Sequence, residues 1–134
     1  MFLQGLDIKQ KHLFLQLAKK AIDIDGKQTS EELNLLKEYL REMELPEDTK
    51  IEEVDYSLLL KEINDACDMI CKKKIMFEII AIEMVDADFA DVEKEFVVEL
   101  GNELGIERDD INLACNVVDS MYSTYFFLYE YLRD

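Results

Sequence analysis

The residues whose types and spacing could do chemistry in this chain are carboxylates. Asp23 and Asp25 lead into Gly26, and Glu32 follows seven positions after Asp25. Farther along, Asp86 and Asp88 precede Glu93, which again lies seven positions after Asp86. Two carboxylates held ~5 Å apart repel by roughly 3 kcal/mol at an effective dielectric of ~20, and a bound cation relieves that repulsion. No His or Cys lies close by in sequence, so the donors are all oxygen and point to calcium or magnesium rather than zinc. Asp25, Glu32, Asp86 and Glu93 are therefore the candidate metal ligands, with Asp23 and Asp88 as secondary ones. The same acids have a plainer use, because a carboxylate at a helix start accepts from open backbone amides and sits well against the helix dipole.

The first segment, AIDIDGKQTSEE, invites comparison with the EF-hand loop, which wraps one calcium ion with carboxylates at alternating positions. Asp23, Asp25, Gly26 and Glu32 fit that pattern, but Ala21 stands where the first ligand belongs and Gln28 replaces the usual aliphatic residue. The second segment, VDADFADVEKE, has no glycine and keeps no such register. An EF-hand pair is thus rejected, and a weaker cation site is what the acids leave.

Other reactive side chains are sparse. His12 is the single histidine and has no adjacent Ser or Cys to activate. Cys67 and Cys71 share a helical face, half of a metal site at most, and with Cys115 they make an odd count that reads as reduced, packed thiols. There is no Gly-rich phosphate loop. The residues therefore predict a protein that is not an enzyme.

The elements that must position these acids are helices. Four Gly and one Pro in 134 residues are too few turn signals for a sandwich or barrel. Leu13, Phe14, Leu17, Ala18, Ala21 and Ile22 fall at helical spacing, and Asp25-Gly26 closes that helix. Thr29 and Glu32 form a T-x-x-E capping box for the next, whose stripe is Leu35, Leu36, Tyr39, Leu40 and Met43. Asp55 or Ser57 starts a third helix, with Leu58, Leu59, Ile63, Ala66, Cys67 and Ile70 inward, running to Lys72–Lys74. A fourth follows through IMFEIIAIEMV, a fifth carries Phe96, Val97, Leu100 and Leu104 to Gly105, and one long helix or two short ones fill Glu107 to Leu132. The aromatic run YSTYFFLYEYL at the end cannot lie on one side of a helix. Either that helix is buried all round or part of it is a partner or oligomer surface.

A shift of 61 positions without a gap places Asp25 on Asp86, Glu32 on Glu93, Leu36 on Val97, Tyr39 on Leu100, Met43 on Leu104 and Leu45 on Ile106. An offset of 63 pairs Asp25 with Asp88 and Phe14 with Phe77 instead, and the gapless register is preferred. The fold expected is all-α: one domain over 1–134, a compact bundle of six or seven helices with an internal two-fold helix-loop-helix duplication. The repeats span about 6–45 and about 73–106, and a C-terminal helix spans about 107–133.

Composition bounds the partners. A formal net charge of -16, from 31 acidic and 15 basic residues, repels nucleic-acid phosphates and anionic membrane surfaces and attracts cations and basic proteins. No run approaches the ~20 apolar residues of a membrane span. The opening residues lack a basic leader before an apolar stretch, so a cytoplasmic location is expected.

The pattern of a helix ending in A-x-x-x-D-G, seven residues from that Asp to a Glu, then an apolar stripe resembles the tellurite-resistance TerB domain and its TerB-like relatives. The carrying residues are Ala21, Asp25, Gly26, Glu32, Leu35, Leu36, Tyr39, Met43 and Leu45, echoed by Asp86, Glu93, Phe96, Val97, Leu100, Leu104 and Ile106. Nearly the whole chain is covered. The resemblance implies a duplicated helical bundle with an acidic, metal-binding cluster, at work in bacterial stress response and beside membrane-anchored J-domain co-chaperones. By position, Asp25 and Glu32 match the motif in the first loop and Asp86 and Glu93 in the second, where Ala87 replaces the family's glycine. The expectation is a non-enzymatic acidic module that binds divalent cations weakly. The alternative is a metal-free interaction scaffold that uses its aromatic C-terminal helix to meet a protein partner or a second copy.

Overall fold

The computed structural model describes residues 1–24, 29–85, 89 and 91–134. These form a short 3-10 turn over Leu3–Gly5 and six α-helices: α1 (Ile8–Asp23), α2 (Ser30–Glu42), α3 (Tyr56–Ala66), α4 (Met69–Met84), α5 (Asp91–Glu103) and α6 (Arg108–Leu132). There is no strand among the described residues. None of their helices is long and apolar enough to cross a membrane.

The bounds of α1 and α4 differ by 61 positions at both ends, and so do those of α2 and α5. The details repeat as well. Asp7 and Asp68 each cap their helix by accepting from the amide three residues on, Gln10 and Cys71 respectively. α2 and α5 close with the same Schellman turn, in which Leu45 and Ile106 amides reach back to the carbonyls of Leu40 and Gly101, both at 2.9 Å. The 61-residue register is therefore carried by hydrogen bonds as well as by apolar positions.

The core is built on the pair α1 and α4, which pack on each other; α3 lies against α1, and α6 against α4. α4 is central because its sequence is apolar nearly all round, with Ile75, Met76, Ile79, Ile80 and Ile82 buried. α1 presents Phe14, Leu15, Leu17, Ala18, Ala21 and Ile22 to it, and Tyr39 of α2 meets the Phe14 ring edge-on at 5.2 Å.

One boundary departs from expectation. The third helix does not run to the Lys72–Lys74 cluster: it ends at Ala66, Cys67 is extended, and Asp68 caps a new helix. The cause is the side chain of Asp68, which satisfies the Cys71 amide and makes a start there more favourable than continuation. The helix that carries IMFEIIAIEMV consequently opens at Met69. Leu58 and Ile70, expected inside, are exposed, and Leu60 takes a buried place instead.

The two halves differ in their third helices. α3 has 11 residues after a long connection, whereas α6 has 25 and follows α5 almost directly. The short connection demands close packing, and Gly101 provides it: a Cβ there would overlap the side chain of Ile111 on α6.

Candidate functional site

Asp25, Asp86 and Asp88 lie outside the described residues. Their partners in the sequence pattern do not. Glu32 and Glu93 occupy the third position of α2 and α5, 61 positions apart, and are 4 % and 5 % exposed. Helix register explains the burial, since these positions continue the inward stripes of Tyr39, Leu40 and Met43 and of Phe96, Val97 and Leu100.

Glu32 forms the capping box read from the sequence. Its Oε1 accepts from the Thr29 amide at 3.2 Å and from the Thr29 hydroxyl at 3.1 Å, while the Glu32 amide donates to Thr29 Oγ1 at 3.1 Å. Asp23, the secondary candidate of the first loop, is exposed at the end of α1 and pairs with Lys19 at 3.1 Å one turn back. Asp91 stands in the first turn of α5. Among the described residues, no three His, Cys, Asp or Glu side chains gather to hold one ion.

Sequence reasoning missed two acids on α4. Glu83 is fully buried one turn from the second acidic loop, and Glu78 is nearly so. Both interrupt the otherwise continuous apolar run IMFEIIAIEMV, and that interruption was the available signal. Glu78 has a clear structural role. Its Oε1 accepts from the Met1 ammonium at 2.8 Å and the Phe2 amide at 3.0 Å, and Glu42 of α2 takes the same ammonium at 2.6 Å and the Leu3 amide at 3.2 Å. The amino terminus thereby ties α2 to α4. Burial, which lowers the pKa of this ammonium, is outweighed by the hydrogen bonds and charges of Glu42 and Glu78, so the net shift is upward.

Cys67 and Cys115 are poor nucleophiles. Burial, with Cys71 beside it, pushes Cys67 up to about 12, and burial also raises Cys115. His12 is exposed.

A second feature lies at the other end of the chain. Among the described residues, Tyr122 is the last of α6 to hydrogen-bond to another helix, its hydroxyl donating to the Ala81 carbonyl at 2.7 Å. From Ser123 onward every residue is exposed, with Phe127, Tyr129 and Tyr131 at 68, 69 and 82 %. Of the two readings of the aromatic run, burial all round is thus excluded, since residues 123–134 are all exposed.

Comparison of the chain with protein-family models, with curated proteins and with solved structures finds no match in any of the three.

Proposed function

We propose that this chain is a non-enzymatic, acidic, TerB-like helical module of the bacterial cytoplasm that takes up calcium or magnesium weakly at its two inter-helix loops. Its setting would be a stress response of the tellurite-resistance type. The observation that carries the reading is the placement of Glu32 and Glu93 at equivalent positions of the two repeats, 61 positions apart. Both glutamates stand at the third position of a helix that follows an acidic segment, so the two repeats place a carboxylate at matching points close in sequence to further acids. Each of these glutamates lies seven positions from an aspartate, Asp25 or Asp86, in a chain of net charge -16. That arrangement is a hard-oxygen donor set suited to calcium or magnesium. Tellurite itself is an anion that such a surface repels, and Cys67 and Cys115, whose thiols burial holds protonated, are poorly suited to reduce it. A role in resistance would therefore run through the cation or through protein contacts.

The test is thermal melting with calcium, magnesium or zinc added to about millimolar concentration. Tm should rise with calcium or magnesium, and the rise should vanish in a Glu32→Gln, Glu93→Gln double variant. An unchanged Tm with every metal rejects the cation reading.

A second reading, favoured by the bare end of α6, is an interaction module that recruits a protein partner through its aromatic residues.

A further inference from the structure

We infer that the exposed face of α6 is the self-association surface of this protein, on which a second copy packs its own α6 antiparallel about a two-fold axis. The inference rests on the interaction reading above and is independent of cation uptake.

The first ground is the spacing. Leu113, Val117, Met121, Tyr125, Leu128 and Leu132 recur every three or four residues along α6 and form one stripe that neither α4 nor α5 covers completely. The stripe is self-complementary when reversed. Setting Leu113 opposite the partner copy's residue 132 also sets Val117 opposite 128, Met121 opposite 124 and Tyr125 opposite 120. Large side chains then face small ones at the centre, where Ser120 and Thr124 receive Tyr125 and Met121, which is the interdigitation that close helix packing requires. At the start of the stripe, a groove of about 440 Å³ between α4, α6 and the Met1–Phe2 segment is lined by Ile70, Leu113 and Val117. It would receive the end of the facing helix.

The second ground is area. On the stripe, Leu113, Val117, Tyr125, Leu128 and Leu132 are between two-fifths and two-thirds exposed. Together they offer on the order of 500 Å² per copy, the low end of what a specific but weak interface buries. A contiguous apolar patch of this size on a small domain is commonly an interaction surface.

The third ground is charge. Between Leu113 and Leu132 there are two ionisable acids, Asp119 and Glu130, and neither lies on the stripe, although the chain as a whole carries -16. Two such chains can approach closely only where their charge is absent. In the antiparallel register Arg133, just past the end of α6, comes within about one turn of the second copy's Asp109 in the first turn of its α6. An anionic bilayer is disfavoured by the same net charge, and a basic peptide would find no acids along the stripe to pair with.

Sedimentation equilibrium of the full chain decides the matter, run from roughly 5 to 200 µM with EDTA present so that cation binding plays no part. The mass should rise from 15.7 kDa toward twice that value and no further. Val117→Lys and Leu128→Glu, both at positions exposed in the single chain, should each stay monomeric with an unchanged helical circular dichroism spectrum. An equimolar mixture of the two should recover the dimer, because positions 117 and 128 face each other. A wild-type mass fixed at 15.7 kDa, assembly beyond the dimer, dimers that survive both substitutions, or a mixture that stays monomeric would each overturn the proposal. Brief chymotrypsin digestion separates this failure from failure of the broader reading. A monomer cut between residues 125 and 131 retains an open surface for a different partner, whereas a monomer that resists cutting there has no such surface.

Discussion

Glu44 and Gly105 hold the same backbone conformation 61 positions apart, with φ of 60° and 73°, each as the left-handed residue that ends a Schellman turn after α2 and α5. Only one of the two is a glycine. A side chain in this region is strained by roughly 1–2 kcal/mol, so the first repeat carries a cost that the second avoids. Glu44→Gly should stabilise the protein by about 0.5 kcal/mol once the extra freedom of glycine in the unfolded chain is set against the relief. Gly105→Ala should cost about 1 kcal/mol. Urea unfolding of the two variants checks both signs.

Gly101 and Ile111 set the approach of α5 to α6, since a Cβ at 101 would overlap the Ile111 side chain. Gly101→Ala must push that buried isoleucine off its rotamer, with a loss of about 1–3 kcal/mol. Adding Ile111→Val should recover part of the loss, which a double-mutant cycle in denaturant would measure.

The ammonium of Met1, held by Glu42 and Glu78, has its pKa raised above the ordinary 8.0. Its stabilising contribution is complete below pH ~8 and is lost as the pH climbs through the raised folded value. Burial likewise lifts Tyr56 and Tyr122 to about 12, so their contribution is whole below pH ~10 and is lost as the pH rises toward 12. Thermal melts from pH 7 to 11 should show Tm falling in two stages. Acetylating the amino terminus should lower Tm at pH 7 by a few degrees and abolish the first stage.

Cys67 is buried, and its thiol is pushed up to about 12. Iodoacetamide at pH 8 should therefore alkylate Cys67 on the order of 100-fold more slowly in the native chain than in urea. Equal rates would mean that the α3–α4 junction opens readily.

How much of this was legible in the sequence depends on which force sets each feature. The α1–α2 pair was readable because its apolar period, Asp7 and the Thr29–Glu32 capping box all favour the same boundaries. The break before α4 was not. Leu58, Cys67 and Ile70 continue a helical period across it, and only the alignment of Asp68 with Asp7 at the 61-residue shift reveals a second start. Burial of Glu78 depends on an amino terminus that folds back across α2 and α4, a tertiary contact with no local pattern. The bare end of α6 was half readable, since aromatics on every side of a helix do not say whether anything covers them.

Cation uptake at equivalent places in the two repeats is tested most directly by backbone amide NMR during titration with calcium or magnesium up to about 10 mM. Saturable shifts should be confined to residues 23–32 and 84–93, and they should disappear from each segment when its own glutamate, Glu32 or Glu93, is changed to glutamine. Absence of saturable shifts, or shifts spread evenly over the acidic surface, would contradict it.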